Sequence, residues 1–267
     1  MSPMDGAFYE PLGDGRFAAQ PATMSPWAAE LQHGGPPSAL LASEAQRCCR
    51  DAPMRLTRLA VEFLGPIPLT EVVVRTRVIR PGKQIRLIDA VLEAGGREVV
   101  IARAWFIAVQ AQADPVLAAL PRRAPLPPPL PPEQPQRLFP GMKGWAYGEA
   151  IEWRFVDGSL AGEGPASVWT RVRIPLVAGE PLDGPARLFI VADSANGLSR
   201  ELSFERWMFV PPAITVTLER YPSGEWVFMD TVSQISPDGI GLCTASLADE
   251  SGRFAVAAQP LLVARRA

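Results

Sequence analysis

The chain has 267 residues, 48% hydrophobic and 20% charged, with a formal net charge of -2 and a sequence pI near 5.6. That length holds one large domain or two of ordinary size, and the composition supports a sizeable core and excludes global disorder. The near-neutral balance excludes a broadly basic, nucleic-acid-binding surface and leaves room only for a local basic patch that meets a phosphorylated ligand.

Cys48, Cys49 and Cys243 are an odd set, two of them adjacent, which makes a poor disulfide framework and fits a reducing cytoplasm. With one histidine and no CxxC spacing, no metal site is expected. Residues 1–17 carry Asp5, Glu10 and Asp14 and no apolar run, so no signal peptide is expected. No stretch approaches the roughly 20 apolar residues of a membrane helix, so no membrane partner is expected either.

In chain order, residues 36–50, PPSALLASEAQRCCR, open on two prolines and continue in Ala and Leu, which predicts a buried helix. Strand patterns follow at 56–64, 72–79, 85–92 and 99–109, parted by Gly65-Pro66, Pro81-Gly82 and Gly95-Gly96. Residues 121–140, PRRAPLPPPLPPEQPQRLFP, exclude helix and central strand, because proline fixes φ and lacks a donor; an extended polyproline II linker is predicted. Beyond it come strands at 153–155 and 167–174 and a helix at 185–198 closed by Gly197. Further strands follow at 203–209, 214–220, 226–235, 240–248 and 254–263.

The same order therefore occurs twice, a helix followed by four or five antiparallel strands. It predicts an α+β chain of two units, residues 1–115 and 145–267, joined through 116–144, each a long antiparallel sheet wrapped around a central helix. The two sheets can pair into one continuous sheet, which removes exposed edges. Aligning the Gly-Arg turns of residues 92–109 and 247–264 sets Arg103 opposite Gln259. A sheet covered on one face leaves the other exposed, so a homo-oligomer is an open expectation.

The residues go further. HGGPPSALL at 33–41 and RLTRLAVEFLGPIP at 55–68 resemble the N-terminal half of the bacterial type II acyl-CoA thioesterases. ADSANGLS at 192–199, GEWVFMDTVSQISPDGIGLCTASLADESGR at 224–253 and AAQPLLVAR at 257–265 resemble the C-terminal half. The likeness implies two fused hotdog domains and hydrolysis of an acyl-CoA or related thioester, with no cofactor. In that family an Asp on the second helix, a Ser or Thr on a strand and a Gln on the last strand bind the attacking water. Asp193 and Gln259 match the first and last. An ungapped match puts Gln234 at the hydroxyl position, a departure from the pattern, with Ser233 beside it; neighbours on a strand face opposite ways, so only one of the two can point inward.

Each candidate also has a chemical reading of its own. Asp193 interrupts the apolar run FIVADSANGL, where a carboxylate is costly unless hydrogen-bonded or near water; in a half-dry cleft it can act as general base or as nucleophile. Gln259 lies among Ala, Val and Leu, and its buried amide needs partners. Gly34 and Gly35, after His33, let a ligand carbonyl approach backbone N–H groups at a helix start, or they serve the turn alone. His33 itself reads as a surface or capping residue before a catalyst. In the first half Ser43 or Glu44 stands where Asp193 stands in the second. Arg75, Arg77 and Arg80 read as a solvated sheet face, or as a clamp for nucleotide phosphates. Two readings from different classes follow: a thioester hydrolase, and a non-catalytic acyl- or partner-binding module on the same scaffold. A hydratase ranks third, since His33 is the sole histidine.

Overall fold

The computed structural model describes residues 6–110, 114–121, 125–136 and 144–266. The first half opens with a hairpin, β1 (Tyr9–Gly13) and β2 (Arg16–Ala19). Its turn runs through positive φ at Gly13, Asp14 and Gly15, which two glycines and an aspartate tolerate. Helix α1 (Gly35–Arg47) follows, then β3 (Met54–Phe63), β4 (Glu71–Arg80), β5 (Ile85–Ala94) and β6 (Arg97–Ala108). After a single helical turn, α2 (Pro115–Ala118), the second half brings a second turn, α3 (Ala146–Glu149), then β7 (Ile151–Asp157) and β8 (Ala166–Val172). Next come α4 (Gly184–Ala192), α5 (Ala195–Leu198), β9 (Trp207–Val210) and β10 (Ala213–Leu218), and then β11 (Trp226–Ile235), β12 (Ile240–Asp249) and β13 (Gly252–Arg265).

The strands form one antiparallel sheet in the order β1-β2-β4-β5-β6-β3-β10-β13-β12-β11-β8-β7, with β9 also pairing β13. The halves meet where β3 lies beside β10. Helices α1 and α4 lie inside the curve of the sheet and pack on each other, over a single buried core drawn from both halves. Gly35 makes that crossing possible: a Cβ there would collide with the carbonyl oxygen of Ile190.

The register relates the halves by a local two-fold axis. Ala60 pairs with Thr215, flanked by Val61↔Ile214 and Leu59↔Val216. One strand outward, Ala60 faces Arg103 and Thr215 faces Ala258. Arg103 is thus the counterpart of Ala258, and Ala104 that of Gln259. Alignment on the Gly-Arg turns is one residue out, and a one-residue slip moves a side chain to the other face. Arg103 points outward to Asp89 (2.8 Å), whereas Gln259 points inward and is 1% exposed.

Two other expectations need correction. The helix expected at 185–198 is broken: α4 stops at Ala192, the Ser194 N–H bonds Val191 O three residues back in a tightened turn, and α5 resumes at Ala195. The break falls at Asp193, upstream of Gly197. The strand expected at 203–209 begins only at Trp207, because residues 203–206 form a turn closed by Trp207 N–H on Ser203 O. The hairpin β1–β2 went unseen, since YEPLG carries no clean alternation.

The proline-rich segment is extended over its described residues 125–136 and lies against the second half. Leu130 packs on Trp169 and Phe228 on the outer face of the sheet, and Trp169 Nε1 donates to Pro128 O (3.0 Å).

Candidate active site

Asp193 follows the last residue of α4, and three things converge on its carboxylate. Gln259 of β13 donates Nε2 to Oδ1 (3.0 Å), the backbone N–H of Gly34 donates to the carboxylate, and His33 Nδ1 lies 3.3 Å from Oδ2. Gly34 must be glycine for this approach, because a Cβ would sit 2.7 Å from Asp193 Oδ2 and from the Phe63 ring. Gln259 Oε1 is buried and makes no hydrogen bond among the described residues. The amide orientation follows from the partner, since a carboxylate accepts and only Nε2 donates.

Burial pushes the Asp193 acid up to about 7, against the opposing pull of the Gly34 and Gln259 hydrogen bonds. Burial pushes His33 down to about 3. His33 Nδ1 accepts the Gly35 N–H (3.1 Å), so the ring is neutral and its proton sits on Nε2. The His33–Asp193 approach is therefore no ion pair. The single Nδ1 lone pair already accepts the Gly35 N–H, so the ring adds no hydrogen bond to the carboxylate. The ring is fixed by Tyr147 of α3, stacked at 4.0 Å, whose hydroxyl donates to Ile190 O (2.6 Å).

The remaining sequence candidates separate. Ser233 faces inward and Gln234 faces solvent, so the inward hydroxyl on β11 is Ser233. Ser199 Oγ donates to Ala195 O (2.8 Å), so Ser233 is the donor in the 2.8 Å pair with Ser199. Cys243, which sequence reasoning passed over, lies between Ser233 and Gln259 across β11, β12 and β13. Ser233 thus stands two strands from Gln259, about 10 Å away. The Gly34 and Gly35 amides are occupied by Asp193 and His33, and Pro36 and Pro37 after them have no N–H.

A cleft of about 430 Å³ opens over Asp193, with His33, Gly34 and Asn196 at its polar end and Trp27, Phe63, Met208 and Pro211 among its apolar walls. Its mouth has a backbone cause. β10 pairs β13 up to Ala258 and β9 resumes at Leu262, while Pro211-Pro212 between them skip the stretch around Gln259. Asn196 donates to Phe209 O (2.9 Å), which leaves its second amide N–H for a ligand. Neither Asn196 nor Trp27 was singled out in the sequence; ADSAN carried the signal for the first, and nothing did for the second. The arginines of β4 have partners on a solvated face: Arg75 pairs Glu93, Arg77 shares Asp89 with Arg103, and Arg80 donates to Ile85 O.

Comparison with known structures defines the class, a double hotdog protein. A hot dog fold protein from Alicyclobacillus acidocaldarius is 16% identical with a TM-score of 0.75, over 100% of this chain and 99% of its own. An acyl-CoA thioesterase II from Mycobacterium marinum is 17% identical with a TM-score of 0.65, over 97% and 95%. No curated protein matches. The chain belongs to the acyl-CoA thioesterase family: the family's N-terminal domain matches residues 23–107 and its C-terminal domain residues 122–263. It is a thioester hydrolase. Among the described residues no helix is long and apolar enough to cross a membrane.

Proposed function

We propose that the enzyme hydrolyses acyl-CoA thioesters with a water held between Asp193 and Gln259. One observation carries this reading: a buried carboxylate that lines the polar end of the cleft accepts from a buried amide at 3.0 Å, and the amide oxygen has no hydrogen bond among the described residues. A water has the donors that both oxygens accept. Gln259 Oε1 accepts one of its protons and Asp193 the other, which turns the lone pair toward a carbonyl carbon in the cleft.

The ionised Asp193 removes a proton as the water oxygen attacks the thioester. The tetrahedral intermediate then collapses, the C–S bond breaks, and the proton passes from Asp193 to the departing thiolate. Asn196, through its free N–H, is the donor we assign to the developing oxyanion. Burial keeps the Asp193 acid weak enough to work near neutrality, while Gly34 and Gln259 hold its charged form. Ser233 belongs to the wall beneath, through Ser199.

A panel of acyl-CoAs, with thiol release followed colorimetrically, tests the activity. A single turnover in ¹⁸O-labelled water tests the role of Asp193. Label in the product acid from the first turnover is expected of a base; label in the protein carboxylate instead would make Asp193 a nucleophile.

A further inference from the structure

Arg75, Arg77 and Arg103, on the outer sheet of the first half, have carboxylate partners. Arg206, Arg265 and Arg266, near the C-terminal end of β13, have no ion pair and no side-chain hydrogen bond among the described residues, and Arg265 and Arg266 are instead laid on aromatic rings. The Arg266 guanidinium lies 4.9 Å from the Trp27 ring and 4.4 Å from that of Phe204, and Arg265 lies 4.9 Å from Trp207. Arg206 is brought alongside by the backbone, where the Arg266 N–H donates to Arg206 O (3.0 Å). All three are exposed, and Glu205 is the adjoining acidic residue. A guanidinium stacked on a ring is ordered, and its N–H edge stays available for an anion.

The position is what gives these cations a use. Trp27, under Arg266, is a wall of the cleft above Asp193, as are Met208, Val210 and Leu262 on β9 and β13. The same two strands run on to Trp207 and Arg265, which pair across the ladder on the face opposite Leu262, Met208 and Val210, so Arg265 meets the cleft's side around the strand ends. From Gln259 to Arg265 is six residues, about 20 Å at about 3.3 Å per residue. The cysteamine, β-alanine and pantoate units of a pantetheine arm span roughly what four or five extended residues span, at about 3.5 Å each. Arginine side chains reaching back along the wall close the difference.

We propose that Arg206, Arg265 and Arg266 bind the phosphates of the CoA nucleotide while the pantetheine arm lies along β9 and β13 to the thioester above Asp193. This rests on the reading of the cleft as the thioesterase site. CoA is favoured over a carrier-protein ester because three cations match its diphosphate and 3′-phosphate, whereas a carrier's arm ends in one phosphodiester.

The test compares the full chain with the Arg206→Gln, Arg265→Gln, Arg266→Gln triple variant on an acyl-CoA and on the same acyl group carried by N-acetylcysteamine, which keeps the thioester and lacks the phosphates. The ratio of kcat/KM for the CoA ester to that for the truncated ester is expected to fall on the order of 10²-fold in the variant, chiefly through KM, and the parent's KM for the CoA ester should rise with salt. A parental ratio in the variant overturns the proposal. So does a large effect confined to an acyl carrier-protein ester, which would assign the arginines to a protein partner. Calorimetric titration of free CoA into Asp193→Asn reads phosphate binding without turnover, so loss of the clamp and failure of the hydrolase reading are told apart. Binding of CoA there that the triple substitution leaves unchanged also overturns it.

Discussion

The two ends of the helix pair are related by the same local axis and do opposite things. At one end stand Asp193, which lines an apolar cleft, and behind it the buried row Gln259, Cys243 and Ser233. Their counterparts are Glu44, counted nine residues on from Gly35 as Asp193 is from Gly184, and Ala104, Ile88 and Val78, counted across the ladders. Glu44 bonds Arg47 (2.9 Å), Arg47 also holds Glu180 (2.5 Å), and the groove there is lined by Arg50 and Asp183 as well. A carboxylate spent on an arginine, with no amide on the sheet to orient a water, is a structural ion pair. The duplicated scaffold keeps its backbone relation while its two carboxylates differ: Glu44 has a cation beside it, and Asp193, where we propose the chemistry lies, has none.

The largest test of that asymmetry is a pair of isosteric changes. Asp193→Asn should lower kcat by about 10²-fold or more with the fold intact by circular dichroism. Glu44→Gln should leave thiol release within about twofold of the parent. Equal losses would mean that the two ends share the work.

The acidity of Asp193 gives a pH signature. With its acid pushed up to about 7, kcat/KM should rise with pH through about 7 and level off above it. Stability should move the other way. A raised carboxyl in the folded state contributes stability that is complete below the ordinary value near 4 and is lost as pH rises through about 7. Asp193→Asn should therefore melt higher than the parent at pH 8, and the gap should close toward pH 4. His33, buried neutral and pushed down to about 3, disfavours the fold as pH falls below about 6.5, but it does so in both proteins and drops out of the difference to first order. A variant that melts below the parent at pH 8 would show that ionised Asp193 is not under strain.

Much of this is legible in the amino-acid sequence. Periodicity placed both helices and the long strands, because their apolar faces are buried on one side and alternate cleanly. Asp193 and Gln259 were legible because a carboxylate and an amide inside apolar runs call for partners. What was not legible depended on register and facing. Arg103 looked like the mate of Gln259 until the ladder moved it by one residue. Ser233 and Gln234 were inseparable until the pleat put one inside. Asn196 and Trp27 matter through a cleft that forms only where Pro211-Pro212 part β9 from β10, a tertiary event with no local pattern.

A reciprocal exchange on the sheet sharpens the comparison at intermediate size. Gln259→Ala should lower kcat roughly tenfold, about 1.4 kcal/mol, because it removes orientation and leaves the charge. The mirror change, Ala104→Gln, should create no activity when Glu44 is all it can approach. Its cost is stability: an amide forced beside Ile88 in a filled interior is expected to lower the melting temperature by several degrees, the range of about 1–3 kcal/mol. A gain in turnover from Ala104→Gln in an Asp193→Asn background would show the first end to be a dormant site.

The smallest expected effect concerns the two ends of the sheet, which are also closed by different means. At the first end, β1 bonds backbone to backbone with residues 175–178: Tyr9 N–H donates to Leu176 O (2.9 Å) and Ala178 N–H to Tyr9 O (2.9 Å). At the other, the strap 125–136 runs beside β7 and, being rich in proline, has few N–H groups to offer. Two glutamine side chains stand in for a strand. Gln134 accepts from Phe155 N (2.8 Å) and donates to Phe155 O (2.9 Å), and Gln136 does the same with Trp153 at 3.3 and 3.4 Å. Each amide satisfies both polar groups of one edge residue, so the edge is covered without a strand that could recruit another chain. Replacing both glutamines with alanine should cost no more than about 1 kcal/mol apiece, because water can take over at an edge, and should leave turnover untouched. The expected signature is slow aggregation at high concentration by light scattering, absent from the parent. A double variant that stays monodisperse would mean that the prolines and Leu130 guard the edge unaided.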